Sequence, residues 1–184
     1  MIWESFYWKE SLRRNAKDLR HRARQMRWRE ASLARLEQTV MIGFYSVRKL
    51  IEARKLSDAT IGYSVSVTVY PSKGQPVTLM NWHKLDRLYD FEMGYQESLN
   101  TLDLCNQFIH SYVFAPVHAE DGGIHSILFC SDRVRQSGLY EIELSAIIEL
   151  FEHVATDYPN RATMWFDPDK GDYQVRAEMI SGPD

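Results

Sequence analysis

Proline and glycine are missing from most of the N-terminal third of this chain. The 184-residue sequence has no proline before Pro71 and no glycine before Gly43. Because these residues interrupt helices most strongly, their absence favours one continuous helix over residues 3–56. Apolar side chains recur there at a spacing of seven: Leu12, Leu19, Met26, Leu33, Val40 and Val47. This period predicts a long amphipathic helix, or two helices back to back, whose apolar seam needs a partner to cover it.

Cysteine and long apolar runs are also scarce. The only cysteines are Cys105 and Cys130, without a CxxC pair, and no window reaches the roughly 18 apolar residues of a membrane span. The first residues lack the pattern of a signal peptide. We therefore expect a soluble, cytoplasmic protein with reduced thiols and no membrane partner.

The common catalytic and cofactor motifs are absent as well. The sequence contains no GxxxxGK[ST], GxGxxG, GxSxG or HExxH and no zinc-finger spacing. These absences disfavour P-loop nucleotide hydrolysis, dinucleotide binding, α/β-hydrolase chemistry and zinc proteolysis. We expect no cofactor.

Charge is distributed unevenly along the chain, although the net charge is only −3. Residues 1–56 hold 14 Lys/Arg and 6 Asp/Glu, a balance of +8, whereas residues 57–184 hold 8 and 19, a balance of −11. We divide the chain accordingly into a helical arm, residues 1–56, and a body, residues 57–184. The asymmetry indicates either an anionic partner for the arm or two halves that complement each other, within one chain or between subunits.

The first half of the arm is a candidate nucleic-acid-binding segment. Arginines on a helix can neutralise phosphates, and Trp8 or Trp28 could stack on unpaired bases. The alternative is that this segment packs against an acidic helix containing Glu141–Glu152. The candidate phosphate-binding residues are Arg13, Arg14, Lys17, Arg20, Arg24 and Arg27.

The body alternates helical and strand patterns without parallel crossovers, which predicts an α+β fold. Three antiparallel hairpins are expected, at residues 63–70 with 77–80, 114–117 with 126–129, and 162–166 with 173–178. Helices are expected at residues 95–113 (central) and 139–158 (C-terminal), with a short one at 84–89. The large aromatic residues of the body are expected in the core, namely Trp82, Tyr89, Phe91 and Trp165.

The octapeptide Cys105-Asn-Gln-Phe-Ile-His110-Ser-Tyr112 resembles a known motif. It is similar to the RNxxxH motif, often extended by a tyrosine, of the HEPN superfamily of helical nucleic-acid-binding domains and metal-independent RNases. Cys105 stands where that family has its phosphate-binding arginine. The resemblance implies that His110 is an acid or base on an RNA 2′-hydroxyl, that Asn106 and Tyr112 complete the motif, and that Asp103 favours the imidazolium at a distance. Otherwise His110 is a solvated histidine on a polar helical stripe.

A third set of residues has the chemistry of a metal site. If residues 122–123 form a hairpin turn, Glu120 pairs with His125 and His118 lies on the same face. Two imidazoles and a carboxylate can hold zinc, although polar residues are also common at hairpin tips.

Our leading hypothesis is a non-enzymatic interaction module that self-associates or binds a partner through its N-terminal helix. Its basic arm would contact nucleic acid or an acidic protein surface. The alternative is a HEPN-like endoribonuclease, or its inactive relative, centred on His110.

Overall fold

Helices and antiparallel strands alternate along the chain, which confirms the predicted α+β class. The computed structural model describes residues 2–180. Its helices are α1 (Ser5–Ala23), α2 (Glu30–Glu52), α3 (Asp58–Ile61), α4 (Leu85–Leu88), α5 (Thr101–Ile109) and α6 (Leu144–Thr156). Its strands are β1 (Ser64–Pro71), β2 (Tyr95–Asn100), β3 (Ser111–His118), β4 (Ile124–Ser131), β5 (Gly138–Glu143), β6 (Arg161–Asp167) and β7 (Asp172–Glu178).

Five strands form one antiparallel sheet in the order β2-β1-β5-β4-β3, and β6 and β7 form a separate hairpin. Alternate residues of the large sheet face the helices, as the period of two along a strand requires. On β1 these are Val65, Val67 and Val69, which are buried. Helices α1, α2, α5 and α6 contribute to the same hydrophobic core.

Most of the heptad-spaced seam of the N-terminal segment is covered within the chain itself. Leu12 and Leu19 of α1 and Val40 and Val47 of α2 are fully buried. They share one core cluster with α6 and the sheet. Leu33 is half-buried, and Met26, in the link between the helices, is 67% exposed. Four of the six seam positions are therefore shielded from water without a second chain.

The expected single N-terminal helix is wrong, because the chain leaves the helix between residues 24 and 29. In this link the indole Nε1 of Trp28 donates a hydrogen bond to the carbonyl of Gly122 at 3.1 Å. The same turn approaches the end of α1 so closely that a Cβ on Gly123 would lie 2.2 Å from the carbonyl oxygen of Ala23. A contact with a distant turn thus ends α1, and no residue of the link itself signals it.

Two of the three expected hairpins are confirmed, β3–β4 and β6–β7. The first is wrong, because β1 pairs with β2 and β5 and residues 77–80 form no strand. The helix predicted at residues 95–113 is shorter, α5 (Thr101–Ile109), because the first predicted residues form β2 against β1. The Asn100 side chain then caps α5 by accepting from the Asp103 N–H at 2.8 Å. The C-terminal helix likewise starts later, at Leu144, after β5.

The aromatic side chains expected in the core divide into two groups. Tyr89 is fully buried in a second cluster, in which the segment between β1 and β2 covers part of the other sheet face. Trp82, Phe91 and Trp165 are 38%, 40% and 49% exposed, so their assignment to the core is wrong. Within the described part of the chain, no helix is both long and apolar enough to cross a membrane.

Candidate nucleic-acid interface

Helix α1 lies across the body with one side buried and the other open to solvent. Its buried side consists of Lys9, Leu12, Ala16 and Leu19. Arg20 forms two hydrogen bonds of 2.8 Å with the Glu152 carboxylate of α6, in a bidentate ion pair. The basic arm and the acidic body therefore do form an ion pair, but α1 contributes only Arg20 to it.

The solvent-exposed part of α1 carries aromatic residues at its N-terminal end and basic residues along the rest. Phe6, Arg13, Lys17 and Arg24 follow each other at steps of seven, four and seven, which return to the same side of a helix. All four are exposed. We call the full set the α1 stripe: Phe6, Tyr7, Arg13, Arg14 and Lys17 on α1, with Trp3 just before the helix and Arg24 just after it.

Most cations of the α1 stripe are not neutralised by the protein. Arg13 pairs with Glu10, one turn before it. Within residues 2–180, Arg14, Lys17 and Arg24 have no carboxylate partner at ion-pair distance. Arg27 is also exposed, but it lies in the link after α1. The stripe is therefore a surface of positive charge that lies open to an external anion.

The two tryptophans that the sequence suggested as stacking residues are not the most exposed rings of this region. Trp8 is half-buried against the core. Trp28 is half-buried as well, with its ring edge-on to His118 at 5.9 Å. The exposed rings are instead Trp3 at 97%, Phe6 at 50% and Tyr7 at 69%. Their helical spacing relative to Arg13, Arg14 and Lys17 was the available signal, since residues seven and eleven apart share a face.

The HEPN-like residues lie around the C-terminal end of α5. Asp103, Asn106 and His110 line one cleft of ≈ 540 Å³, together with Gln107 and Arg133. Asp103 also accepts a hydrogen bond from the Asn100 amide at 2.8 Å. His110 is exposed at the C-cap of α5. Three of the four candidate catalytic residues therefore share one concave surface.

Tyr112 lies apart from this cleft. Its ring lies under the guanidinium of Arg135, with 3.9 Å between the guanidinium carbon and the ring centroid. Its hydroxyl is buried and has no hydrogen-bond partner within the described residues. Tyr112 therefore packs against Arg135, whereas His110 faces the α5 cleft.

A cation that the sequence did not reveal lies beside Asn106. The Nη1 atom of Arg48, on α2, donates a hydrogen bond of 2.5 Å to the Asn106 Oδ1. Arg48 is 58 residues away along the chain, so no local pattern could have associated the two. Cys105, where the HEPN motif has its arginine, is fully buried under the same helix.

The candidate zinc ligands do not come together. The register of β3 and β4 pairs His118 with Ile124, which leaves Glu120 in the turn instead of opposite His125. The Nδ1 atom of His118 lies 3.3 Å from the Gly122 carbonyl oxygen. Within the described residues, no group of three or more His, Cys, Asp or Glu side chains could hold a metal ion.

Comparisons with known proteins found no relative that could indicate the function of either surface. No family model matches the chain, no curated protein is significantly similar to it, and no solved structure matches it.

Proposed function

We propose that the chain is a non-enzymatic nucleic-acid-binding module and that its α1 stripe contacts a single strand of RNA or DNA. The observation that carries this proposal is the coincidence, along α1 and at its two ends, of three exposed aromatic rings with three cations that lack a partner carboxylate. Single strands are bound in this way, by rings that stack on bases and by cations that follow the backbone.

The dimensions of the α1 stripe suit an extended ligand. At 1.5 Å per residue, the rise from Phe6 to Arg24 is about 27 Å. Arg13, Arg14, Lys17 and Arg24 all lie within it. If these four contact phosphates, the logarithm of the binding constant falls with the logarithm of salt concentration with a slope of about −3 for a single strand.

Charge reversal on the α1 stripe tests the proposal. We expect Arg14→Glu/Lys17→Glu to weaken binding of a labelled single-stranded oligonucleotide by about tenfold or more and to reduce the salt slope by about 1.4. Fluorescence anisotropy at several salt concentrations measures both quantities. Phe6→Ala/Tyr7→Ala is expected to weaken binding without changing the slope, because stacking releases no counterions.

The matched control removes the same charge elsewhere. Lys84 and Arg87 are exposed on the segment between β1 and β2, away from α1. The variant Lys84→Glu/Arg87→Glu has the same net charge as the stripe variant and is expected to bind like the unmodified chain. Equal affinities for the two variants, or binding that does not depend on salt, contradict the proposal.

A metal-independent endoribonuclease similar to the HEPN superfamily is the second candidate function. It is favoured by Arg48, whose guanidinium on Asn106 supplies a cation next to the motif that lacks its own arginine. In this proposal His110 transfers protons at an RNA 2′-hydroxyl bound in the α5 cleft. Arg48 lies beside the cleft, where it contacts Asn106 and pairs with Glu52 at 2.9 Å, and it turns to the phosphate when RNA binds.

His110→Ala is expected to abolish RNA cleavage while leaving oligonucleotide binding by the α1 stripe unchanged. Gel analysis of labelled structured and unstructured RNA, with EDTA present, measures the cleavage. His83→Ala is the control, since His83 is exposed and distant in sequence from the motif. RNA that stays intact with the unmodified chain removes this candidate.

A further inference from the structure

The β6–β7 hairpin exposes an apolar face. Its register places six apolar residues on one side, namely Ala162, Met164, Phe166, Tyr173, Val175 and Ala177. Ala177, at the base, is buried near α3. Towards the loop, Met164, Phe166 and Tyr173 are 63%, 54% and 60% exposed. A two-stranded hairpin is only marginally stable in water, so burial of this face would stabilise it substantially.

The loop of the same hairpin is acidic. Asp167, Asp169 and Asp172 are opposed there by a single cation, Lys170. Lys170 lies 3.8 Å from the Asp167 carboxylate. Asp169 and Asp172 are exposed and have no cationic partner at ion-pair distance within the described residues. The hairpin thus joins an apolar face to an acidic tip.

The α1 stripe has the complementary arrangement. Its N-terminal end is aromatic, with Trp3, Phe6 and Tyr7, and its remaining length is basic. The lengths also agree, because a seven-residue strand extends over about 23 Å and the stripe over about 27 Å. The charges of the whole chain have the same sense, +8 for residues 1–56 and −11 for residues 57–184.

We infer that the β6–β7 hairpin of a second copy of this chain lies along the α1 stripe. Its apolar face covers Phe6 and Tyr7, and its acidic loop points towards Arg14 and Lys17. In this inference each chain gives its hairpin and receives the other, so that a two-fold axis closes the assembly as a dimer; a one-way contact would give rings or filaments instead. The hairpin and a nucleic acid would use the same stripe, so self-association would compete with nucleic-acid binding. This regulatory consequence rests on the proposed function.

Complementary charge reversals test the contact without any nucleic acid present. The stripe variant is Arg14→Glu/Lys17→Glu, and the hairpin variant is Asp169→Lys/Asp172→Lys. We expect the unmodified chain to sediment as a dimer at low salt. For each variant alone the dissociation constant of the dimer should rise about tenfold or more, because like charges then meet across the contact. An equimolar mixture should form a dimer again, since each stripe then faces a loop of opposite charge.

The controls separate misfolding from loss of contact. All four substituted side chains are exposed, and far-ultraviolet circular dichroism should be unchanged for both variants. Lys84→Glu/Arg87→Glu should dimerise like the unmodified chain. A monomeric unmodified chain at about 100 times the concentration used for the binding assay overturns the inference, as does a mixture that stays monomeric.

The same variants distinguish failure of this inference from failure of the proposed function. If both hold, the hairpin variant binds the labelled oligonucleotide more tightly than the unmodified chain, because its stripe is uncovered. Dimers that bind no oligonucleotide in any variant remove the proposed function and keep the self-association. Monomers that bind it through the stripe do the reverse.

Discussion

Lys9 is the clearest case of a residue whose role the sequence concealed. Its basic side chain belongs by composition to the charged arm, yet it is 1% exposed. Its Nζ donates hydrogen bonds to the carbonyls of Lys55, at 3.0 Å, and Asp157, and lies 4.0 Å from the centroid of the Tyr158 ring. Burial lowers the pKa of this ammonium. It ties the start of α1 to residues that follow α2 and α6.

Cysteine reactivity gives a prediction at the scale of single residues. Burial raises the pKa of the Cys105 thiol to about 12 and that of Cys130 to about 11. Because the thiolate is the reactive form, both thiols should stay unreactive towards Ellman's reagent at pH 8 in the folded chain. Both should react after denaturation. Rapid reaction of either thiol in the folded state contradicts the burial.

The same two groups contribute to stability in a defined pH range. In the unfolded chain a thiol has a pKa of about 8.5. Because the folded values are higher, the contribution is fully present below that pH and is lost as the pH rises towards 11 and 12. The free energy of unfolding, measured with denaturant, should therefore fall less steeply between pH 8.5 and 11 for Cys105→Ala/Cys130→Ala than for the unmodified chain.

At the scale of elements, Gly43 allows α2 to approach α6. A Cβ at this position would lie 2.2 Å from the Cζ of Phe151, whose ring is fully buried. Phe151 also packs edge-on against Phe44, with 5.2 Å between ring centroids, which limits its freedom to move away. The one glycine of the N-terminal helices is thus a packing residue.

Gly43→Ala should destabilise the chain despite the better helix propensity of alanine. Overpacking costs about 1–3 kcal/mol, against a gain of about 1 kcal/mol for replacing a helical glycine. Thermal unfolding measures the net loss. The control Gly62→Ala places its Cβ at ordinary contact distances, the nearest atom being 3.4 Å away, and should leave the melting temperature unchanged or slightly raised. A Gly43→Ala chain as stable as its parent would show that Phe151 can move.

The sequence predicted the positions of strands less well than those of hairpin turns. Tyr95–Asn100 forms β2, although the sequence pattern predicts a helix that begins at residue 95. Its backbone pairs with β1, in a register from Ser64↔Asn100 to Val69↔Tyr95. Such pairing depends on a strand about 30 residues earlier and overrides weak local propensity. By contrast, the hairpin turns at residues 119–123 and 168–171 contain their own turn residues and were predicted correctly.

At the scale of the whole molecule, α1 is part of the core and not a detachable arm. Leu12, Ala16 and Leu19 are fully buried in the cluster that contains α2, α6 and the sheet. A chain that begins at Glu30 loses these contacts, and each leucine alone is worth about 2–5 kcal/mol. That is a large part of a typical total stability of about 5–15 kcal/mol.

We therefore expect the chain from Glu30 onwards to unfold at a much lower temperature, or without a cooperative transition, and to bind the dye ANS. Circular dichroism melting and dye fluorescence measure this. The Arg14→Glu/Lys17→Glu variant, which keeps the buried side of α1, should melt like the unmodified chain. A truncated chain that melts cooperatively near the temperature of the full chain would show that α1 is dispensable for folding.

The sequence by itself determined the α+β class, the helical nature of most of the first 56 residues, two hairpins and the cations of α1. Each follows from local properties, namely period, turn residues and charge. Tertiary structure alone decided that the helix breaks at residues 24–29, that most of the seam is covered by the chain's own body, and that Arg48 reaches Asn106. These depend on contacts between residues far apart in the chain, whose free energies exceed the small local preferences that a sequence pattern reports.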